Sequence, residues 1–103
     1  MDEKEYMEML KVIHDYFQKE SLVISFSNGL VVNCISDTGI YETSAEPEDD
    51  DYVGEFVTAV KVTDVVTQGS NYDIQIYNDH IEISLISIPL TISSADGTIL
   101  WQR

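Results

Sequence analysis

Five carboxylates lie at the start of the stretch EPEDDDYVGEF, residues 46–56, and are the residues best placed to do chemistry. They occupy five of the six positions from Glu46 to Asp51, with no lysine or arginine beside them. Such a run has three ordinary uses: it can bind a divalent cation, supply an acid–base pair, or attract a basic partner.

The spacing of these acids does not fit a dedicated metal site. An EF-hand-like loop counted from Asp49 needs acceptors at positions 1, 3 and 5, glycine at 6 and glutamate at 12. Asp49, Asp51 and Gly54 fit this pattern, but Val53 and Val60 occupy positions 5 and 12. We therefore predict no bound metal and no cofactor.

Catalytic chemistry is not indicated either. An acid–base pair needs an apolar pocket that raises one carboxyl pKa, and exposed repulsion within a run does not single out one proton donor. Cys34, the one cysteine, falls in a predicted strand and suits a small buried hydrophobe. His14 is predicted on a helix and His80 on a hairpin, and nothing in the sequence brings either to Cys34. We expect no catalytic residues and no enzyme activity.

Charge is the dominant global signal. Nineteen Asp and Glu oppose five Lys and Arg, which gives a formal charge of −14. Residues 20–60 contain nine acids and no Lys or Arg. This field repels phosphate backbones and anionic membranes, and it favours basic partners. We therefore predict no direct binding to nucleic acid, no membrane association, and a basic protein as the partner.

Length and the N-terminal sequence suggest one domain over residues 1–103 in a reducing compartment. The chain is of ordinary single-domain size, and one cysteine cannot build a disulfide framework. The N-terminus, MDEKEYMEML, lacks the basic and apolar regions of a signal peptide. Apolar runs are far shorter than the ~20 residues that span a bilayer. A cytoplasmic location is the default expectation.

The first element is predicted to be an amphipathic helix over residues 2–19. Asp2 and Glu5 have the spacing of a capping box at its start. Apolar residues recur every three or four positions and form one stripe that must pack on another element: Tyr6, Met9, Leu10, Ile13, Tyr16 and Phe17.

From residue 21 onward the hydrophobic period becomes that of strands. Asn28–Gly29 predicts a two-residue hairpin turn that would pair Ile24 with Asn33. Asn78–Asp79 predicts a second turn, which would pair Tyr77 with His80 on a polar face and Ile76 with Ile81 on an apolar face.

Two further features complete the β region. Asp96–Gly97 predicts a third turn that returns Ile99 and Trp101 against Ile92. Residues 55–67 read as one long strand, with Phe56, Val60 and Val62 facing inward. The expected fold is α+β: one N-terminal helix packed on a curved antiparallel sheet or small open barrel of about six to eight short strands over residues 21–103, with an acidic loop at 42–55.

The leading functional hypothesis is a small acidic inhibitor of a basic, nucleic-acid-handling protein, such as a nuclease or nucleoprotein effector. Two settings share this physics: an anti-CRISPR or anti-restriction protein of a phage or mobile element, and an immunity protein against a nuclease toxin. The alternative is a structural or adaptor module that acts through protein contacts or homo-oligomerisation. The predicted partner-binding residues are Glu46, Glu48, Asp49, Asp50, Asp51, Tyr52 and Glu55.

Overall fold

The computed structural model describes residues 2–43, 48, 56–70, 74 and 76–103. Within these residues the chain forms one helix and seven strands: α1 Glu3–His14, β1 Leu22–Ser25, β2 Val31–Ile35, β3 Tyr41–Glu42, β4 Phe56–Thr67, β5 His80–Ile83, β6 Thr91–Ser94 and β7 Ile99–Gln102. The strand order is β3-β4-β2-β1-β6-β7, with β5 paired to β4. The sheet is antiparallel and curls around the helix. The predicted α+β fold, with an N-terminal helix on a curved sheet, is confirmed.

The helix begins as the capping box predicts. Asp2 is its N-cap, and one carboxylate oxygen accepts the Glu5 N–H at 2.8 Å. The bond satisfies one of the backbone donors left free in the first turn. The apolar stripe is buried along its length from Tyr6 through Leu10 to Ile13, so burial against the sheet stabilises a helix of only three turns.

The helix ends at His14, earlier than the predicted end at residue 19. Beyond it, the N–H groups of Tyr16 and Phe17 bond to carbonyls only three residues back, at 3.1 and 2.9 Å. Gln18 has a left-handed φ of 54°, and its N–H donates to the Ser36 carbonyl at 2.8 Å. A tertiary hydrogen bond therefore replaces the next helical one and turns the chain toward β1.

The first hairpin forms, but with a longer loop than predicted. The Phe26 N–H donates to the Leu30 carbonyl at 2.9 Å, and the Gly29 N–H donates to the Phe26 carbonyl at 3.0 Å. A two-residue turn needs positive φ at both central residues, and of Asn28 and Gly29 only Gly29 has one, at 94°. The result is a three-residue loop of the bulged type.

The longer loop shifts the strand register by one residue, so the predicted pairing of Ile24 with Asn33 is wrong. Ile24 pairs with Val32, and Asn33 pairs with Val23. A one-residue slip moves a whole strand's side chains to the other face. Here it places Val32 in the core beside Ile24 and moves Asn33 to the less buried face.

The third hairpin is confirmed, because β6 and β7 pair Ile92 with Trp101 and Ser93 with Ile99. Gly97 has a φ of 92°. Asp96 tightens this turn by accepting from the Ser94 hydroxyl and, at 3.0 Å, from the Thr98 N–H. Bonds to the ionised carboxylate lower the Asp96 pKa to about 2, with the Ser94 hydroxyl as the largest cause.

The longest strand, β4, organises the sheet. Its first residues pair with β3, Thr58–Lys61 with β5, and Lys61–Thr67 with β2. The predicted inward positions are confirmed, with Val60 fully buried and Phe56 and Val62 packed against the core. The buried core joins the helix stripe to the concave side of the sheet: Tyr6, Met9, Leu10, Ile13, Leu22, Ile24, Phe26, Leu30, Val32, Cys34, Val60, Ile81, Ile83 and Ile92.

Candidate partner-binding surface

The chain between β3 and β4, residues 43–55, which we call the acidic segment, is attached to the sheet at two paired residues. In the β3–β4 pair, Tyr41 faces Val57 and Glu42 faces Phe56. The chain between them therefore leaves and returns at neighbouring points. Glu42, predicted to open the loop, instead closes β3.

Only one predicted partner-binding residue lies within the described part of the chain. Glu48 is described and is exposed. The other predicted residues lie outside the described residues: Glu46, Asp49, Asp50, Asp51, Tyr52 and Glu55. Their role stays a prediction.

One face of the sheet next to these points carries tyrosines and charged groups. The register pairs Tyr41 with Val57, Ala59 with Glu82, and Lys61 with His80. Cross-strand partners share a face, and alternate residues of β4 share it too. An isolated bridge pairs Tyr77 with His80 on the same side. We call these exposed or half-exposed residues the tyrosine face: Tyr41, Lys61, Tyr77, His80 and Glu82.

A hydrogen bond connects the two strands that flank this part of β4. The Tyr41 hydroxyl donates to the Glu82 carboxylate at 3.1 Å, which joins β3 to β5. The pKa of Tyr41 is raised, mainly by partial burial and then by the neighbouring charge of Glu82. The Tyr41 ring is therefore held in place although 42% of the residue is exposed.

His80 ties the turn before β5 to the segment after β2. Its Nε2 lies 2.9 Å from an Asp37 carboxylate oxygen, and its Nδ1 lies 2.9 Å from the Asn78 carbonyl oxygen. Both ring nitrogens face acceptors, so the imidazolium is the form that can donate to both. The His80 pKa is raised, first by the Asn78 carbonyl and then by Asp37, while burial and Lys61 oppose the shift.

The turn that His80 closes is the predicted Asn78–Asp79 turn, and it is confirmed. Asn78 and Asp79 have φ values of 50° and 65°, as a two-residue primed turn requires. The N–H groups of Tyr77 and His80 donate to each other's carbonyls at 2.8 and 2.9 Å. The Val62 N–H also donates to the Asp79 carbonyl at 2.6 Å, which fixes the turn to β4.

The side chains before this turn face outward. Tyr77 is 78% exposed and Ile76 is 41% exposed. The predicted apolar face, with Ile76 against Ile81, is therefore wrong at Ile76, although Ile81 and Ile83 are buried. β5 pairs with β4, and Ile76 does not extend the apolar face of β5.

The residues considered for catalysis are apart and occupied by structural contacts. Cys34 is buried, its thiol lies 3.6 Å from the Leu22 carbonyl oxygen, and burial raises its pKa to about 12. Such a thiol is not a nucleophile at neutral pH. His14 is exposed and stacks on Phe17, with ring centres 5.7 Å apart.

Two other kinds of site are absent from the described residues. They contain no group of three or more His, Cys, Asp or Glu arranged to hold a metal ion. No helix among them has the length and apolarity needed to cross a bilayer.

The fold is that of a small α+β protein with one N-terminal helix on a curled antiparallel sheet. Residues 4–103 match the model of a family described as cognate immunity protein YxxD, and the chain belongs to this family. No curated protein and no solved structure matches the chain. Family membership indicates a toxin-immunity function exercised by binding a partner toxin, as expected of a non-catalytic inhibitor.

Proposed function

We propose that this immunity protein neutralises a nuclease toxin by covering the toxin's basic, nucleic-acid-handling surface with its acidic segment. The observation that carries the proposal is the base-free interval of residues 20–60 within a chain of charge −14. Of the two settings that composition left open, family membership favours toxin immunity over anti-defence inhibition.

The charge density of the acidic segment suits a groove built for nucleic acid. In an extended backbone, successive residues advance by about 3.3–3.6 Å. One strand of a DNA duplex carries one charge per about 3.4 Å of axis. Three consecutive aspartates, Asp49 to Asp51, bound in extended form would carry a comparable number of charges per unit length, on alternating sides of the backbone. Counterions released from the toxin's basic groove would then contribute to affinity, as they do for nucleic acid.

The attachment of the segment supports the same proposal. Both ends of the segment are fixed by the paired residues Glu42 and Phe56, which lowers the entropy cost of presenting it to a partner. Tyr41, next to Glu42, lies on the tyrosine face. The attachment points of the acidic segment therefore adjoin an aromatic surface, and aromatic residues carry much of the energy of protein interfaces.

The test begins with capture of the partner from cell lysate at low and high salt. We expect a basic protein that is retained at about 50 mM salt and released at about 500 mM, since screening weakens exposed charge pairs. The purified partner should cleave RNA or DNA, and equimolar immunity protein should stop the cleavage. A toxin without activity on nucleic acid would overturn the nuclease assignment, and capture of only a second copy would favour the oligomer.

A matched pair of charge variants then tests the acidic segment. Changing Asp49, Asp50 and Asp51 to Asn removes three charges from it. Changing Glu3, Glu8 and Glu20 to Gln removes three exposed charges elsewhere. We expect the first variant to lose at least about tenfold in affinity and the second to lose much less, because a contact charge acts more strongly than a distant screened one. Equal losses would show that net charge, not the segment, is recognised.

A further inference from the structure

We propose that the turn at residues 76–79 is a preformed anchor for the cognate toxin, with the Tyr77 side chain entering a pocket rimmed by basic groups. The proposal rests on the proposed function for its partner and adds an aromatic contact to the charged interface.

The first support is the exposure of two large side chains at one point. Tyr77 is 78% exposed, and its neighbour Ile76 is 41% exposed. Single exposed apolar residues are ordinary, but Tyr77 precedes a tight turn and projects from the polar side of the sheet. Tyrosine combines a large apolar ring with a polar tip and is enriched among the residues that dominate binding energy.

The second support is that the turn is held from three directions. Its backbone is closed by the paired Tyr77 and His80 hydrogen bonds. The Val62 N–H holds it to β4, and the His80 ring joins it to Asp37. Non-glycine residues with positive φ are uncommon and persist where the surroundings fix them. A side chain presented from such a base loses little backbone entropy on binding, which favours affinity.

The third support is charge, which favours a basic toxin over a second copy of this chain. A second copy of this chain would bring a second net charge of −14 into the complex, and like charges at an interface are unfavourable. Asp79 is exposed at the tip, and Glu82 lies beyond His80 on the same face. Tyr41 connects this face to the start of the acidic segment through its bond to Glu82. A toxin with a basic rim around an apolar pocket could meet both parts at once.

The experiment measures affinity and inhibition for the toxin purified by capture on the wild-type protein. Tyr77→Ala should weaken binding by at least about tenfold, as expected for a central aromatic residue. Tyr77→Phe should retain most of the affinity, because the ring makes the contact. Ile99→Ala is the matched control, since Ile99 is 56% exposed on β7, at the opposite end of the strand order from the β3–β4 pair.

The positioning role of Asp37 is tested separately. Asp37→Asn should loosen the turn and weaken binding, but it should cost nothing further in a Tyr77→Ala background. Equal costs in both backgrounds would show that Asp37 does not act through Tyr77. Melting temperatures of all variants show whether each is folded at the assay temperature.

The outcomes separate the anchor from the proposed function. If Tyr77→Ala binds within about twofold of wild type while the triple Asn variant is impaired, the anchor is wrong and the charged interface stands. If Tyr77→Ala is impaired and the triple Asn variant is not, the anchor stands and the mimicry proposal fails. A wild-type protein that inhibits no nuclease toxin overturns both.

Discussion

Two hairpin loops in this protein contain an asparagine and differ in what surrounds them. The turn at Asn28–Gly29 is packed against its own chain: Ser70 donates to the Asn28 carbonyl from both its N–H and its hydroxyl, each at 2.9 Å. A Cβ added at Gly69 would lie 2.6 Å from the Asn28 side chain. The turn at Asn78–Asp79 is fixed at its base but carries an exposed tyrosine and aspartate.

The contrast is one of burial: similar turn residues lie beside buried side chains in one place and beside exposed side chains in the other. Beside the first turn, Phe26 and Leu30 are buried at 2% and 4% exposure. Beside the second, Tyr77 and Ile76 face solvent. We therefore expect the first turn's apolar neighbours to stabilise the fold and the second turn's neighbours to contribute little to its stability.

The largest effect is expected from truncating the aromatic residue beside each turn. Phe26→Ala should lower the free energy of unfolding by about 3–5 kcal/mol, since it removes a buried ring and leaves a cavity. Tyr77→Ala should change it by less than about 0.5 kcal/mol, as exposed positions do. Urea denaturation of both variants measures the contrast. Similar losses at the two positions would show that both turns stabilise the fold.

The next effect concerns the glycine of the first turn. Gly29 has a φ of 94°, where a residue with a Cβ is strained by roughly 1–2 kcal/mol. Gly29→Ala should therefore destabilise by about that amount, whereas Ser27→Ala, at an exposed position of the same loop, should be nearly neutral. Thermal and urea unfolding report both, and a neutral Gly29→Ala would mean that the loop can adopt a different turn.

These turns also show how far the sequence predicts the fold. Asn28–Gly29, Asn78–Asp79 and Asp96–Gly97 all mark real turns, because few residue pairs accept the backbone angles that tight turns need. The capping box at Asp2 predicts the helix start for the same local reason.

Where the local sequence allows more than one loop length or helix end, tertiary contacts decide between them. The first hairpin's loop could close with two or three residues, and burial of Val32 beside Ile24 accompanies the three-residue form. The helix ends early because the Gln18 N–H is taken by the Ser36 carbonyl, a bond between distant parts of the chain.

The sequence predicts the candidate surface only in part, because tertiary contacts decide this surface too. Charge and its uneven distribution are properties of the sequence, so the acidic segment is visible there. The contacts that build the tyrosine face join residues far apart: Asp37 with His80 across 43 positions and Tyr41 with Glu82 across 41. No local pattern encodes these pairs. The predicted pairing of Tyr77 with His80 placed Tyr77 on a polar face, which was the one signal of its exposure.

A smaller effect is expected from the ion pair that holds the second turn. The His80 pKa is raised in the folded protein above its ordinary value of about 6.5. Its contribution to stability is therefore fully present below about pH 6.5 and is lost as pH rises through the folded pKa. Asp37 and the Asn78 carbonyl favour the charged ring, and Lys61 opposes it.

The measurement compares wild type with His80→Gln across pH, since the acidic residues titrate in both proteins and cancel. We expect the difference in unfolding free energy to be below about 1 kcal/mol at pH 6, as is typical of a solvent-accessible pair. It should shrink toward zero at pH 9. A difference that grows with pH would show that the neutral ring makes the stabilising contact.

The smallest effect on stability, and the sharpest test of the comparison, is expected at Asp79. Its φ of 65° is one that glycine adopts without strain, and Asn-Gly is the preferred pair for this turn. Asp79→Gly should therefore leave stability unchanged or raise it by about 0.5 kcal/mol. If the turn displays Asp79 to a basic partner, the same change should weaken toxin binding even though the fold gains. Asp79→Asn keeps the size of the side chain and removes its charge. It therefore separates the backbone effect of glycine from the electrostatic effect. If the turn is kept for binding, Asp79→Gly should preserve or raise stability while it lowers toxin affinity. If the turn is kept for folding, the same change should preserve or raise both.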